Sequence, residues 1–417
     1  MNDQNPKRKT VTVDKNRLVE MFLQLAAIRS PGFEVGAIQD WLERVIGVLF
    51  HLTATFDEAG KDQDGYQCGN LMFVLPATEG YENLPCIGLD AHVDTVDVPK
   101  GFRVTPVVDG DIIRSDGSTI LGADCKCGVA AILEALNLLQ KDNIPHGPIQ
   151  VVFSVGEELG MIGWRNLDQS RILAKQFVVV ESGELAKLLI GCAGKIKWRA
   201  DFFGQASHGG EPEKGLNALL VASHALHCAQ LGGILGRGDQ TNPLALGLVR
   251  ADAKKDEVFI NVSEFQAGIP YPATNVLPAM ATVSGEFRGH NIVKMNELYS
   301  NLDQVFNLAA NGCKSGNGQV QGKVKMEFDI PYLPYSLQSS HPLVQSVLSA
   351  MAHAGISNAY AANYTPAATH SNIIGGLGIP AVVLGAGGRN HHSLNELLIV
   401  EEMVGAAQTL VEFLRAD

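Results

Sequence analysis

Ile149-Gln-Val-Val-Phe-Ser-Val-Gly-Glu-Glu-Leu-Gly160 is an apolar run that stops on two adjacent carboxylates. The stretch 149–155 is short and nearly all apolar, the pattern of a strand buried on both faces. Glu157 and Glu158 follow a glycine. Neighbouring like charges repel, and burying them is costly unless a cation compensates. A metal would let one carboxylate ligate while the other stays free as a base. Taken alone, the pair also reads as a solvated loop.

Working outward, the same rhythm recurs. Helical spacing covers 16–28 and 35–49, with Pro31-Gly32 between them. Short apolar runs at 70–75, 86–89 and 177–180 read as further buried strands, and 127–139 as an apolar helix. Alternating strands and helices of this kind predict a largely parallel sheet covered by helices. From about residue 195 the period changes. Residues 195–203 alternate as a half-exposed strand does, followed by a helix at 217–230, strands at 245–250 and 276–287, a helix at 293–310 and a strand at 319–330. The order β-α-β-β-α-β predicts a small ferredoxin-like sandwich. The first pattern then resumes, with helices at 342–354 and 400–414 around a strand at 381–385. The expected organisation is a polar tail at 1–10, an α/β domain formed by 11–194 and 334–417, and an inserted domain at 195–333.

Composition narrows the function classes. The chain has 417 residues, of which 46% are hydrophobic and 18% charged, enough to bury a large core and unlike a disordered chain. Its net charge of −12 offers no basic footprint for nucleic acid. No run of about 18 apolar residues predicts a membrane span. No apolar segment follows the polar first ten residues as a secretory signal would. Seven scattered cysteines, an odd number, point to reduced thiols and a cytoplasmic location.

The remaining chemistry sits where strands end. Gly88-Leu-Asp-Ala-His-Val-Asp94 offers His92 as a metal ligand and Asp94 to orient its ring, in the place where open α/β sheets bind ligands. Asp124, in Gly122-Ala-Asp-Cys-Lys-Cys-Gly128, opens a helix and alone reads as an N-cap. Cys125 and Cys127 are too close for a zinc-ribbon pair and read as loop-filling residues. Glu181 ends another strand. His391 and His392 follow the strand at 381–385, and in an extended segment only one of them faces a given site. Imidazole and carboxylate without thiolate are zinc-type ligands, and five of them suit two metals sharing one bridging carboxylate. A Gly-x-Ser-x-Gly elbow, a Walker A loop, a His-Glu-x-x-His helix and a dinucleotide fingerprint are all missing.

These motifs together resemble the M20 family of di-zinc metallopeptidases, and within it the peptidase T-like branch. The matches are Leu89-Asp-Ala-His-Val-Asp-Thr95, Leu121-Gly-Ala-Asp-Cys-Lys-Cys-Gly128, Gly156-Glu-Glu-Leu-Gly160 and Asn390-His-His-Ser-Leu-Asn-Glu396. The resemblance implies an α/β fold: a zinc-exopeptidase-like, mostly parallel central sheet flanked by helices, with an inserted ferredoxin-like α+β lid or dimerisation domain. It makes Asp124 a bridge between two Zn2+ ions (or Co2+ or Mn2+), one also held by His92 and Glu181, the other by Glu158 and His392. Asp94 would orient His92, and Glu157 would be the general base and acid. In the lid, Ala206-Ser-His-Gly-Gly210 resembles the family's histidine motif, so His208 would stabilise the oxyanion. Asn275 and Arg288 would bind substrate.

The implied reaction is hydrolysis of short peptides by a bridging water that two zinc ions and Glu157 activate, an exopeptidase or tripeptidase-like activity. The implied partners are a small peptide or acylated amino acid and a second copy of the chain, with neither nucleic acid nor membrane. Three positions depart from the family pattern. Cys125 follows the bridging Asp where an acidic or amide residue is common. Glu181 stands where aminopeptidases of the family carry Asp, which favours a carboxypeptidase-like or N-acyl-amino-acid amidohydrolase alternative. His370, in Ala368-Thr-His-Ser-Asn372, replaces an Asp and is expected to alter substrate contacts. A non-catalytic metal-binding or assembly role is the alternative from another class.

Overall fold

The structure is a computed structural model that describes residues 11–61, 68–101, 103–235, 258–268 and 274–416. The expected tail at 1–10 and the expected strand at 245–250 lie outside the described residues. The chain forms two compact units, residues 1–191 with 336–417, and residues 192–335.

The first unit is built on an eight-stranded sheet. Its spatial order is Thr55–Phe56, Leu71–Leu75, Ile149–Ser154, Ile87–His92, Gln176–Glu181, Ala381–Gly385, Lys187–Leu189 and Tyr360–Ala362. The four central strands, from Ile149–Ser154 to Ala381–Gly385, run parallel. Their near-continuous Val, Ile and Phe content is what burial on both faces requires, and every residue of Ile149–Ser154 is buried. The strands at 55–56 and 71–75 join antiparallel, so the sheet is mixed.

Helix Ala123–Lys141 lies against strands Ile87–His92 and Gln176–Glu181, and helices Lys15–Ala27 and Val400–Leu414 pack on it. It is buried nearly all round, including Glu134. The Arg17 guanidinium grips that carboxylate, with Nε to Oε2 at 2.8 Å and Nη2 to Oε1 at 2.5 Å. A small second sheet, in the order Gly388–Arg389, Leu397–Ile399, Ile112–Ser115 and Pro106–Asp109, has no counterpart in the sequence reading. Strands of two to four residues are too short to show a period.

The second unit is a four-stranded antiparallel sheet, ordered Val258–Ala267, Met280–Gly289, Gly194–Phe203 and Lys323–Tyr332. Helices Ala218–Leu231 and Ile292–Gly312 complete the β-α-β-β-α-β order of a ferredoxin-like sandwich. The alternation in Gly194–Phe203 buries Ile196, Trp198, Ala200 and Phe202. Trp198 and Phe202 meet Phe306 of the second helix, with ring centroids 6.0 and 5.3 Å apart. Gly285 pairs with Trp198 in register, and a Cβ there would lie 2.6 Å from the indole, so glycine makes room for the ring. The strand expected from 276 begins at Met280, because Pro278 has no N–H to give a ladder.

Candidate metal centre

The four parallel strands deliver their carboxyl ends side by side. His92 ends one strand and faces Ser154 of its neighbour in register. The chain beyond Ser154 turns at Gly156, where φ is +63°, and presents Glu157 and Glu158. Glu181 ends the next strand. Asp124 enters the long helix with non-helical backbone angles (φ −83°, ψ 104°), and Gly122 occupies the cap position. The Asp124 carboxylate makes its contacts with His92 and His392 instead of capping the helix. It turns toward the strand ends.

Among the described residues three groups of side chains result: His92, Glu157 and Glu158 form one, and Asp124 joins the other two. His92, Asp124, Cys125 and Glu181 have ligand atoms within 4.8 Å of one another, as do Asp124, Glu158 and His392. Asp124 belongs to both. Its Oδ1 lies 3.3 Å from His92 Nε2, and its Oδ2 lies 3.4 Å from His392 Nε2. Glu181 Oε2 is 3.6 Å from His92 Nε2, and Glu158 Oε1 is 2.8 Å from His392 Nε2. The structure thus brings all five sequence-predicted ligand residues together. Cys125 also comes within reach, but its thiol donates to the Val180 carbonyl at 2.8 Å, and burial pushes its pKa well above the ordinary thiol value. A protonated thiol is a poor ligand.

The electrostatics point to a cation. Burial opposes charge on His92, yet the Asp124 and Glu181 carboxylates outweigh it and hold the ring's pKa well above the usual imidazole value. Asp124 and Glu158 push His392 up to about 10. Asp124 is buried, which raises its pKa, but the His392 and His92 rings more than offset this and hold it well below the carboxylate range. Burial, with Glu181 and Glu158 adding repulsion and His92 opposing, pushes Glu157 up to about 8. Glu158 Oε1 is buried and has no hydrogen-bond partner among the described residues, although His392 Nε2 is 2.8 Å away. Two ligand atoms this close without hydrogen-bond geometry fit a shared ion. The donor set of imidazoles and carboxylates fits a divalent metal of the zinc type.

Supporting residues depart from expectation in two places. Asp94 does not hydrogen-bond His92 through its carboxylate, which is 3.7 Å from Nδ1; its main-chain carbonyl does so, at 2.9 Å. The Asp94 carboxylate instead accepts the N–H groups of Glu157 and Glu158, at 3.0 and 3.1 Å, and positions both glutamates. His370 is fully buried rather than set among substrate contacts. Its Nδ1 bonds Asp90 Oδ2 at 2.7 Å, and the Trp164 indole donates to Asp90 Oδ1 at 2.8 Å. Asp90 shares a strand face with His92, which brings it beneath the centre.

One residue given no role by the sequence reading stands out in the structure. Glu396 is buried and accepts N–H bonds from Leu121 and Gly122 at 2.8 Å and from Asp124 at 3.1 Å. The one sequence signal for it was an acid four residues after His392. Of the adjacent histidines, His392 faces the second group, and His391 bonds Ser182. Within the second unit, an isolated bridge pairs His208 with Val276, and the Gly209 N–H donates to the Asn275 carbonyl at 2.7 Å, so exposed His208 and Asn275 are neighbours. Arg288, on strand Met280–Gly289, donates to Glu286 at 2.6 Å.

Comparisons with known proteins agree on one family. The model of Peptidase family M20/M25/M40 matches residues 88–416. The chain is 31% identical over 401 residues to the uncharacterized protein YqjE of Bacillus subtilis, covering 96% of this chain and 98% of that one. The crystal structure of aminopeptidase PepT from Bacillus cereus superposes with a TM-score of 0.79 at 28% identity, covering 96% of this chain and 98% of that chain. A tripeptidase from Staphylococcus aureus gives 0.80 at 26% identity, covering 97% and 98%.

Proposed function

Because this chain belongs to peptidase family M20/M25/M40, in its peptidase T-like branch, and is a metallopeptidase, we propose that it is an exopeptidase of short peptides working with two zinc ions. The observation that carries this reading is the division of the Asp124 carboxylate, one oxygen toward each histidine-containing group. His92, Asp124 and Glu181 would hold one ion, and Asp124, Glu158 and His392 the other. Two such cations would supply Lewis acidity, polarising the scissile carbonyl and lowering the pKa of a shared water toward neutrality.

The protein's own residues do the rest. Glu157 has its carboxylate within 4.8 Å of ligand atoms of His92 and Glu158, yet stands outside both groups that Asp124 joins. It is the free base: it takes the proton of the attacking water and passes it to the departing amine. General acid–base catalysis of this kind contributes roughly 100- to 10,000-fold. Asp94 holds Glu157 by its main chain, so the base stays in place while its carboxylate exchanges a proton. His208, Asn275 and Arg288 are assigned to oxyanion and substrate binding on the family resemblance, as is a homodimer; a cytoplasmic setting rests on the scattered cysteines. Among the described residues none of the seven cysteines is in a disulfide, and no described helix is long and apolar enough to cross a membrane.

The names of the two structural relatives, an aminopeptidase and a tripeptidase, support a short-peptide substrate. Glu181, in place of the aminopeptidase Asp, favours the second reading: C-terminal cleavage or removal of an acyl group. The deciding experiment assays metal-reconstituted protein on tripeptides, dipeptides and N-acyl amino acids. Turnover of free-amine tripeptides above the others supports the first reading; turnover confined to N-acyl amino acids replaces it with the second.

A further inference from the structure

We infer that Ser182 and His391 form a clasp that positions the two halves of the metal centre, an inference that rests on the metal-centre reading above. Ser182 follows Glu181 and His391 precedes His392, so each clasp residue adjoins a ligand of a different group. Their Oγ and Nε2 atoms are 2.6 Å apart. The other ring nitrogen, Nδ1, is 3.8 Å from Asp124 Oδ2, too far for a hydrogen bond. His391 is thus anchored by the serine and leaves Asp124 to the two groups that share it.

The backbone shows why a clasp is needed. Main-chain bonds already join the bases of the two loops: Ala386 N–H to Glu181 O at 2.8 Å, and Gly387 N–H to Gly183 O at 2.7 Å. The tip is different. Asn390 and His392 both adopt left-handed φ, +56° and +61°, a region uncommon outside glycine although Asn and His enter it more readily than most residues. Ser393 Oγ donates to the Asn390 carbonyl at 2.7 Å, from within the same turn. The His391 ring, between the two left-handed residues, supplies a tie from the turn to the neighbouring strand end. The chain also makes room for it: a Cβ on Gly388 would meet Ser182 Oγ at 2.6 Å and His391 Nε2 at 3.3 Å. Holding the turn in this conformation is what presents the His392 ring to Asp124 and Glu158.

The test is a titration of the metal-stripped full-length protein with Co2+ against a competing chelator, following the visible absorption of the bound ion. Ser182→Ala and His391→Ala should each weaken binding of at least one ion by about 10- to 100-fold, as losses of outer ligand supports do, and change the Co2+ spectrum. The double variant should lose little more than either single one, because both remove the same bond. Ser182→Thr, which keeps the hydroxyl, should restore affinity. Wild-type affinity and spectrum in Ser182→Ala would overturn the clasp, as would fully additive losses in the double variant. So would a fall in melting temperature without metal large enough to explain the whole loss. If Ser182→Ala fails to fold, His391→Ala and Gly388→Ala read the same bond. A wild-type protein that binds no pair of ions would instead remove the metal-centre reading, and the clasp with it.

Discussion

Glu396 accepts the main-chain N–H of Asp124 at 3.1 Å, across 272 residues of chain. The same carboxylate takes the N–H groups of Leu121 and Gly122. The loop that presents the shared ligand is therefore moulded on a buried anion. Replacing Glu396 by Ala leaves three N–H groups without their acceptor. Metal affinity should fall by about 10- to 100-fold. Glu396→Gln, which keeps one carbonyl oxygen, should lose less. Metal content after dialysis, measured beside kcat/KM, checks the order; equal retention in all three proteins would contradict it.

Glu157 and Asp124 should separate metal from turnover. Glu157→Gln is expected to keep both ions and lose roughly 100- to 10,000-fold in kcat, because the base is not a ligand. Asp124→Ala should lose metal and activity together. Elemental analysis of the two variants makes the comparison, and matched metal loss would show that Glu157 is itself a ligand.

Removing metal should also cost stability, since ions that bind only the folded chain add to it. At a free metal concentration 100 times the dissociation constant, the gain is about 2.7 kcal/mol. Chelation should abolish peptide hydrolysis and lower the melting temperature, and zinc, cobalt or manganese should restore both. In Asp124→Ala the added metal should no longer raise the melting temperature.

Two buried ion pairs outside the centre predict stability losses of different size. Asp90 and His370 are both fully buried. Truncating His370 to Ala leaves the buried carboxylate with the Trp164 indole but no charged partner and should cost about 3–5 kcal/mol, partly recovered by adding Asp90→Asn. Urea unfolding of the single and double variants measures this, and a double variant no more stable than the single one would refute it.

Glu134 is equally buried, but its partner Arg17 keeps 27% of its side chain exposed. Water can reach the site once Arg17 is truncated, so Arg17→Ala should cost less than that range, about 1–3 kcal/mol. The midpoint of urea denaturation should shift with an unchanged slope.

The sequence alone determined the long buried strands and that the chemistry would sit at their ends. Apolar runs such as 149–155 have to be buried, and alternation at 195–203 has to put one face inward, so period and composition carry that information locally. The residues from which a metal centre could be built stood out because they close apolar runs or open a helix with imidazole or carboxylate, and the family resemblance then singled out His92, Asp124, Glu158, Glu181 and His392 among them. Tertiary structure decided the rest. It tied His391 to Ser182, split the Asp124 oxygens between two histidines, turned the Asp94 carboxylate to the Glu157 and Glu158 backbone, and joined Asp90 to His370. Such choices depend on side-chain direction toward a partner far along the chain. Neither hydrophobic period nor residue type encodes that direction; packing sets it once the strands lie side by side.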